Sequence, residues 1–153
     1  MKVRIEEIPE NEELQEEEII IRCHKADARV MGLQKRLKKE FAAPPALSFF
    51  KDGDMKEEFF LNPDEILFFE TDGDAIFAHI ASDSFRTDKR LYELEGILPS
   101  NFVRVSKSAL VNIRLIYSIR RNLTGSSPLQ FCGSHKQVYV SRFYYKNLRR
   151  ALG

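Results

Sequence analysis

A chain of 153 residues is long enough to bury a sizeable single core, and 43% hydrophobic residues with only seven glycines place it among globular proteins, not disordered or fibrous ones. No apolar run approaches the ~18 residues a membrane helix needs, and the first twenty residues are rich in Glu where a secretory leader would be basic and then apolar. The chain is therefore expected to be cytoplasmic, and its net charge of +1 excludes nothing until the charges are located.

From the amino terminus, Met1 to Ile8 alternates Val3 and Ile5 with Lys2, Arg4 and Glu6, which predicts a strand stopped by Pro9. A glutamate-rich connector follows. Glu18 to Cys23 carries Ile19-Ile20-Ile21, a run suited to a second, more buried strand. The period then changes: Ala26, Val30, Leu33, Leu37 and Phe41 recur at steps of three or four, predicting a helix from about His24 to Phe41 with Lys35, Arg36, Lys38 and Lys39 in solvent. Ala43-Pro44-Pro45 ends it. Residues 1–45 thus read as a small β-β-α segment, too short to bury a core alone and assigned to dimerisation or regulation.

Residues 46–153 read as a mainly β domain of successive hairpins. Asp52-Gly53, Asp72-Gly73 and Gly133 each separate two apolar runs, the spacing of tight turns. A helix interrupts the strands at about Lys89 to Leu98, where Leu91, Leu94 and Leu98 share a face and Pro99 closes the element. Another ends the chain, with Ser141 as N-cap, Leu148 and Leu152 inward, and Lys146, Arg149 and Arg150 outward.

The charges are segregated. Residues 1–70 hold 11 Lys or Arg against 17 Asp or Glu, residues 71–100 hold 3 against 6, and residues 101–153 hold 10 against none. The last segment cannot neutralise itself with sequence neighbours, and its bases are interleaved with Phe102, Tyr117, Phe131, Tyr139, Phe143, Tyr144 and Tyr145. A foldable cationic segment of this kind suits a face for a polyanion. The plainer reading is that these bases pair across space with the acidic first half. Cys23 and Cys132 share no metal-ligand spacing with His24, His79 or His135 and read as reduced structural cysteines, and no catalytic or phosphate-cradling motif is present. Neither metal, cofactor nor enzymatic activity is expected; the Asp52-Gly53-Asp54 and Asp72-Gly73-Asp74 clusters sit where hairpin turns want Asp-Gly.

Three ordered blocks carry a resemblance. NPDEILFFETDGDAIFAHI is an Ile-aromatic-Glu strand followed by a turn; LYELEGILPSNFVRVSKSALVNIRLIYSI is a helix, Leu-Pro, Arg-Val, a polar triplet ending in Ser, and Val-Asn; VYVSRFYYKNLRRAL is a strand, Ser-Arg and a basic helix. Over about Leu61 to Leu152 the chain resembles the LytTR family of bacterial DNA-binding domains. The resemblance implies a stack of small antiparallel sheets with short helices, whose loops, not a recognition helix, enter successive major grooves of double-stranded DNA.

It also implies contacts from the opening hairpin, the polar triplet and the strand-to-helix junction. Residue by residue these fall on Ser106 and Lys107 in the triplet, and on Arg142, Tyr144 and Lys146 at the junction. Ser106 stands where His is frequent, Phe143 stands where a second basic residue is common, and Asp74-Ala75 in the opening hairpin offers no obvious donor. Arg104 and Lys136 complete the candidate set; Arg104 could equally brace a carboxylate such as Glu70, and Lys136 shares a hairpin tip with His135. Asn112 reads as structural, bonding nearby backbone. The expected function is sequence-specific DNA-binding transcriptional regulation, as a homodimer on paired or repeated sites. Many members of the family carry a receiver domain, and the 1–45 segment is far shorter than one; the resemblance to stand-alone members implies control by a protein partner, such as a small membrane-protein inhibitor, or by dimerisation through that segment. The alternative is a basic β module that contacts RNA or a protein without sequence-specific DNA recognition.

Overall fold

A computed structural model of the chain describes residues 19–40 and 47–153. The chain divides into two compact units, Met1–Gln34 and Lys35–Gly153. The strand expected over Met1 to Ile8 lies outside the described residues. The second expected strand does not form: residues 19–23 carry no strand, and Ile19 and Ile20 are exposed. An apolar triplet becomes a strand only where a neighbour completes its backbone ladder, and no described strand does so here. Helix α1 spans Ala28–Glu40 and starts later than its apolar period suggested. Asp27 accepts a hydrogen bond from the Val30 amide (2.9 Å) and sets the start, leaving Ala26 outside.

Among the described residues the second unit holds ten strands: β1 (Phe49–Lys51), β2 (Asp54–Phe59), β3 (Phe68–Asp72), β4 (Ala75–His79), β5 (Ser84–Thr87), β6 (Phe102–Ser106), β7 (Ala109–Asn112), β8 (Ile116–Ile119), β9 (Ser127–Phe131) and β10 (Gln137–Val140). Helix α2 (Leu91–Ile97) precedes β6 and α3 (Arg142–Leu152) follows β10. All pairings are antiparallel, in a seven-stranded sheet ordered β2-β1-β5-β4-β3-β7-β6 and a three-stranded sheet ordered β10-β9-β8. This is the mainly antiparallel fold with short helices that the sequence implied. Gly53 and Gly73 turn the first two hairpins at φ of 80° and 61°, a backbone region open to glycine at little cost.

The period of two along β3 explains why the larger sheet needs cover on both faces. Phe69 enters a core with Phe49, Ile76, Phe85, Leu94 and Leu110, beneath α2; Phe68 enters another with Val105, Val111, Leu129, Phe131, Val140 and Leu148, beneath the smaller sheet and α3. Side chains of this size each stabilise the fold by about 1.5–3 kcal/mol when fully buried. A buried amide pair ties the strands together. Asn112, 1% exposed, accepts from Asn101 Nδ2 (2.8 Å) and the Arg114 amide (3.1 Å), and donates to the Ile66 carbonyl (3.1 Å). Its structural assignment agrees with this geometry. Cys23 and Cys132 are free and exposed, so neither belongs to a core, contrary to their structural reading.

Candidate nucleic-acid interface

Two backbone hydrogen bonds bring the segments singled out in the sequence to one end of the second unit. The Thr71 amide donates to the Ser108 carbonyl (2.8 Å), placing the β3–β4 turn beside the β6–β7 turn. The Ser141 amide donates to the Val105 carbonyl (2.9 Å), placing the start of α3 beside the same turn.

The β6–β7 turn consists of Lys107 and Ser108, between the paired Ser106 and Ala109. Ser106 Oγ accepts from the Ser108 amide (3.1 Å), a local bond that favours a turn over continued strand. Arg104 fixes the turn from below. Its Nε donates to the Ser106 carbonyl (2.7 Å), Nη2 donates to the Lys107 carbonyl, and Nη1 meets Glu95 Oε2 at 3.0 Å. With 18% of its side chain exposed, Arg104 is committed to the turn; its carboxylate partner is Glu95, and Glu70 instead lies 3.0 Å from His79. Lys107 is held on this braced turn with its side chain in solvent.

At the other edge, Ser141 is the N-cap of α3, although its hydroxyl caps nothing; the amides of Tyr144 and Tyr145 bond its carbonyl instead (3.1 and 3.0 Å). Arg142, Phe143 and Lys146 are exposed and Tyr144 is half-buried. No acidic residue lies in the first turn, so no side chain of the helix itself opposes the positive end of its dipole.

Of the ten bases in residues 101–153, three are engaged elsewhere. Arg104 pairs with Glu95 and Arg114 with Glu40 (3.0 Å). Lys136 is not a free hairpin-tip cation: it donates to the Asp83 carbonyl and lies 3.4 Å from His79 Nδ1. Burial pulls its pKa below the ordinary lysine value, against the attraction of Asp83 and Glu70. The His79 ring, 3.0 Å away, in turn lowers the pKa of Glu70. The other seven, Lys107, Arg120, Arg121, Arg142, Lys146, Arg149 and Arg150, form no ion pair among the described residues. Pairing across space therefore accounts for part of the segregated charge and leaves most of it open.

Arg120 and Arg121 were not singled out from the sequence. They leave β8 and line an open depression with Asn122, Leu123, Pro128 and Tyr139, and the Arg121 guanidinium lies 5.8 Å from the Tyr145 ring of α3. The available signal was two adjacent arginines entering an Asn-Leu-Thr-Gly turn within an acid-free segment.

Fold and site together define a two-sheet antiparallel domain that carries, near its hairpin turns and terminal helix, bases that form no ion pair among the described residues. A profile of the LytTr DNA-binding domain matches residues 56–153, and the chain belongs to this family. HTH-type transcriptional regulators of Staphylococcus aureus are similar: that of strain NCTC 8325 is 31% identical over 97 residues, and that of the bovine strain RF122 is 30% identical over the same length. The match spans 63% of this chain and 65% of each relative. A LytTr DNA-binding domain from Bacillus cereus has the same fold, with a TM-score of 0.63 at 20% identity, covering 71% of this chain and 98% of that one. Although those relatives are named HTH-type, no two helices are joined by a turn among the described residues here: each is separated from the next by strands.

Proposed function

We propose that the chain is a sequence-specific DNA-binding transcriptional regulator, acting in the cytoplasm without catalysis of its own, whose turns and α3 start enter the major groove. The observation that carries this reading is the convergence of the Lys107 turn and the Arg142 junction, where Lys107 and Arg142 are exposed and form no ion pair among the described residues. Lys107 and Arg142 have the chemistry to read guanine O6 and N7, while Tyr144, Lys146 and Ser106 suit phosphates and register. Arg104 serves as a positioning residue, and Lys136 is assigned to the fold, since their donors are already engaged. Arg120 and Arg121 extend the phosphate-facing surface.

Selection from random duplex DNA tests this directly. Enrichment of one motif supports it; retention that is salt-sensitive but blind to sequence rejects it. A second reading, binding of RNA or a protein, is favoured by Tyr117 and Tyr139, 74% and 60% exposed on the smaller sheet near the two arginines. Stacking of unpaired bases on such rings tolerates any sequence. The same selection therefore separates the two.

Binding as a homodimer to paired sites, with control through the amino-terminal segment or by a small membrane-protein inhibitor, completes the proposal. A chain lacking residues 1–46 should lose dimerisation or tight operator binding. If it keeps both, the segment has no such role.

A further inference from the structure

Phe143 is 84% exposed, more than any other large apolar side chain among the described residues. It is not a loose ring: it stands edge-on to Tyr144, with centroids 5.0 Å apart and planes at 80°. Its backbone sits in the first turn of α3, which the bond from Ser141 to Val105 fixes beside the Lys107 turn. Arg142 precedes it, Lys146 lies one turn further along the helix, and no carboxylate occurs anywhere in residues 101–153.

An apolar ring flanked by Arg142 and Lys146, on a segment without acidic side chains, calls for a partner that is anionic yet offers an apolar spot. Duplex DNA has one such spot in its major groove, the C5-methyl of thymine. We infer that Phe143 reads thymine, packing on the C5-methyl of a base pair next to the one met by Arg142. Phe143 is thereby a specificity-determining residue that reads an apolar group where a basic residue would read a hydrogen-bonding edge. This inference rests on the DNA-binding reading above.

The test uses the full chain and the duplex enriched by selection, with each thymine replaced singly by deoxyuridine, which removes the methyl alone. One replacement per half-site should weaken wild-type binding about fourfold, the worth of one buried methyl. In Phe143→Ala that sensitivity should vanish while the remaining sequence preference persists. Phe143→Leu should keep part of it, and Phe143→Lys should restore affinity at low salt without methyl sensitivity. The inference is overturned if no deoxyuridine effect differs between wild type and Phe143→Ala, or if Phe143→Ala weakens every duplex equally, as a wedge between base steps would. If no duplex is enriched, the DNA reading fails and takes this inference with it; if one is enriched without a Phe143-dependent methyl effect, only the inference fails.

Discussion

A basic side chain can act on DNA directly or by shaping the backbone that does, and here the distinction falls between neighbours. Lys107 and Arg142 present solvated charges, whereas Arg104 spends its three nitrogens on two carbonyls and Glu95. Replacing Lys107 or Arg142 with Ala should weaken the selected duplex by about 1–3 kcal/mol and relax preference at one base pair, as measured by anisotropy titration against a set of single-base variants. Loss that is equal for all sequences would make the residue a phosphate contact. Arg104→Lys keeps the charge but loses the planar fork. It should weaken binding nearly as much as Arg104→Ala, and retention of wild-type affinity would show that charge alone was wanted there.

Elements depend on single buried side chains that link them. Asn112 joins β7 to the loop before β3 and to Asn101, so Asn112→Ala leaves several buried polar groups unpaired and should cost about 3 kcal/mol in urea unfolding. DNA affinity of the folded protein should stay unchanged; a selective loss of affinity would instead make Asn112 a base reader. Leu148 is the fully buried side chain by which α3 meets the second core, and Leu148→Ala should destabilise by about 2–5 kcal/mol. The Glu70–His79 contact joins β3 to β4 and gives a pH signature. Because Glu70 has a depressed pKa in the folded state, its contribution is complete above the ordinary glutamate range and is lost as pH falls through the folded value. The stability gap between wild type and Glu70→Gln should therefore shrink on acidification. A gap that stays constant down to acidic pH would contradict this account.

At the scale of the whole molecule, net charge is uninformative and its distribution decides behaviour. Seven bases lack an ion pair among the described residues of the carboxyl-terminal third. If about five of them neutralise phosphates, log affinity should fall against log salt with a slope near −4 to −5, roughly three orders of magnitude between 50 and 200 mM. A slope near −1 would mean that these charges do not face the duplex. The acid-free segment makes charge available but does not by itself rank its members. The contacts that remove Arg104, Arg114 and Lys136 span 9, 74 and 53 positions of sequence.

What the amino-acid sequence determined by itself was local: the hairpin turns at Asp-Gly, the two leucine-faced helices, the absence of acid after Glu95 and the ordered blocks of the family. These follow from short-range backbone geometry and from counting, neither of which needs a partner strand. Tertiary structure alone decided that Ile19-Ile20-Ile21 pairs with no described strand, that Arg104 braces a turn, that Lys136 is drawn inward beside His79, and that Phe143 is left bare next to Arg142. Each depends on what lies across space, because a side chain's charge or apolar area acquires a role only when the opposing surface is fixed.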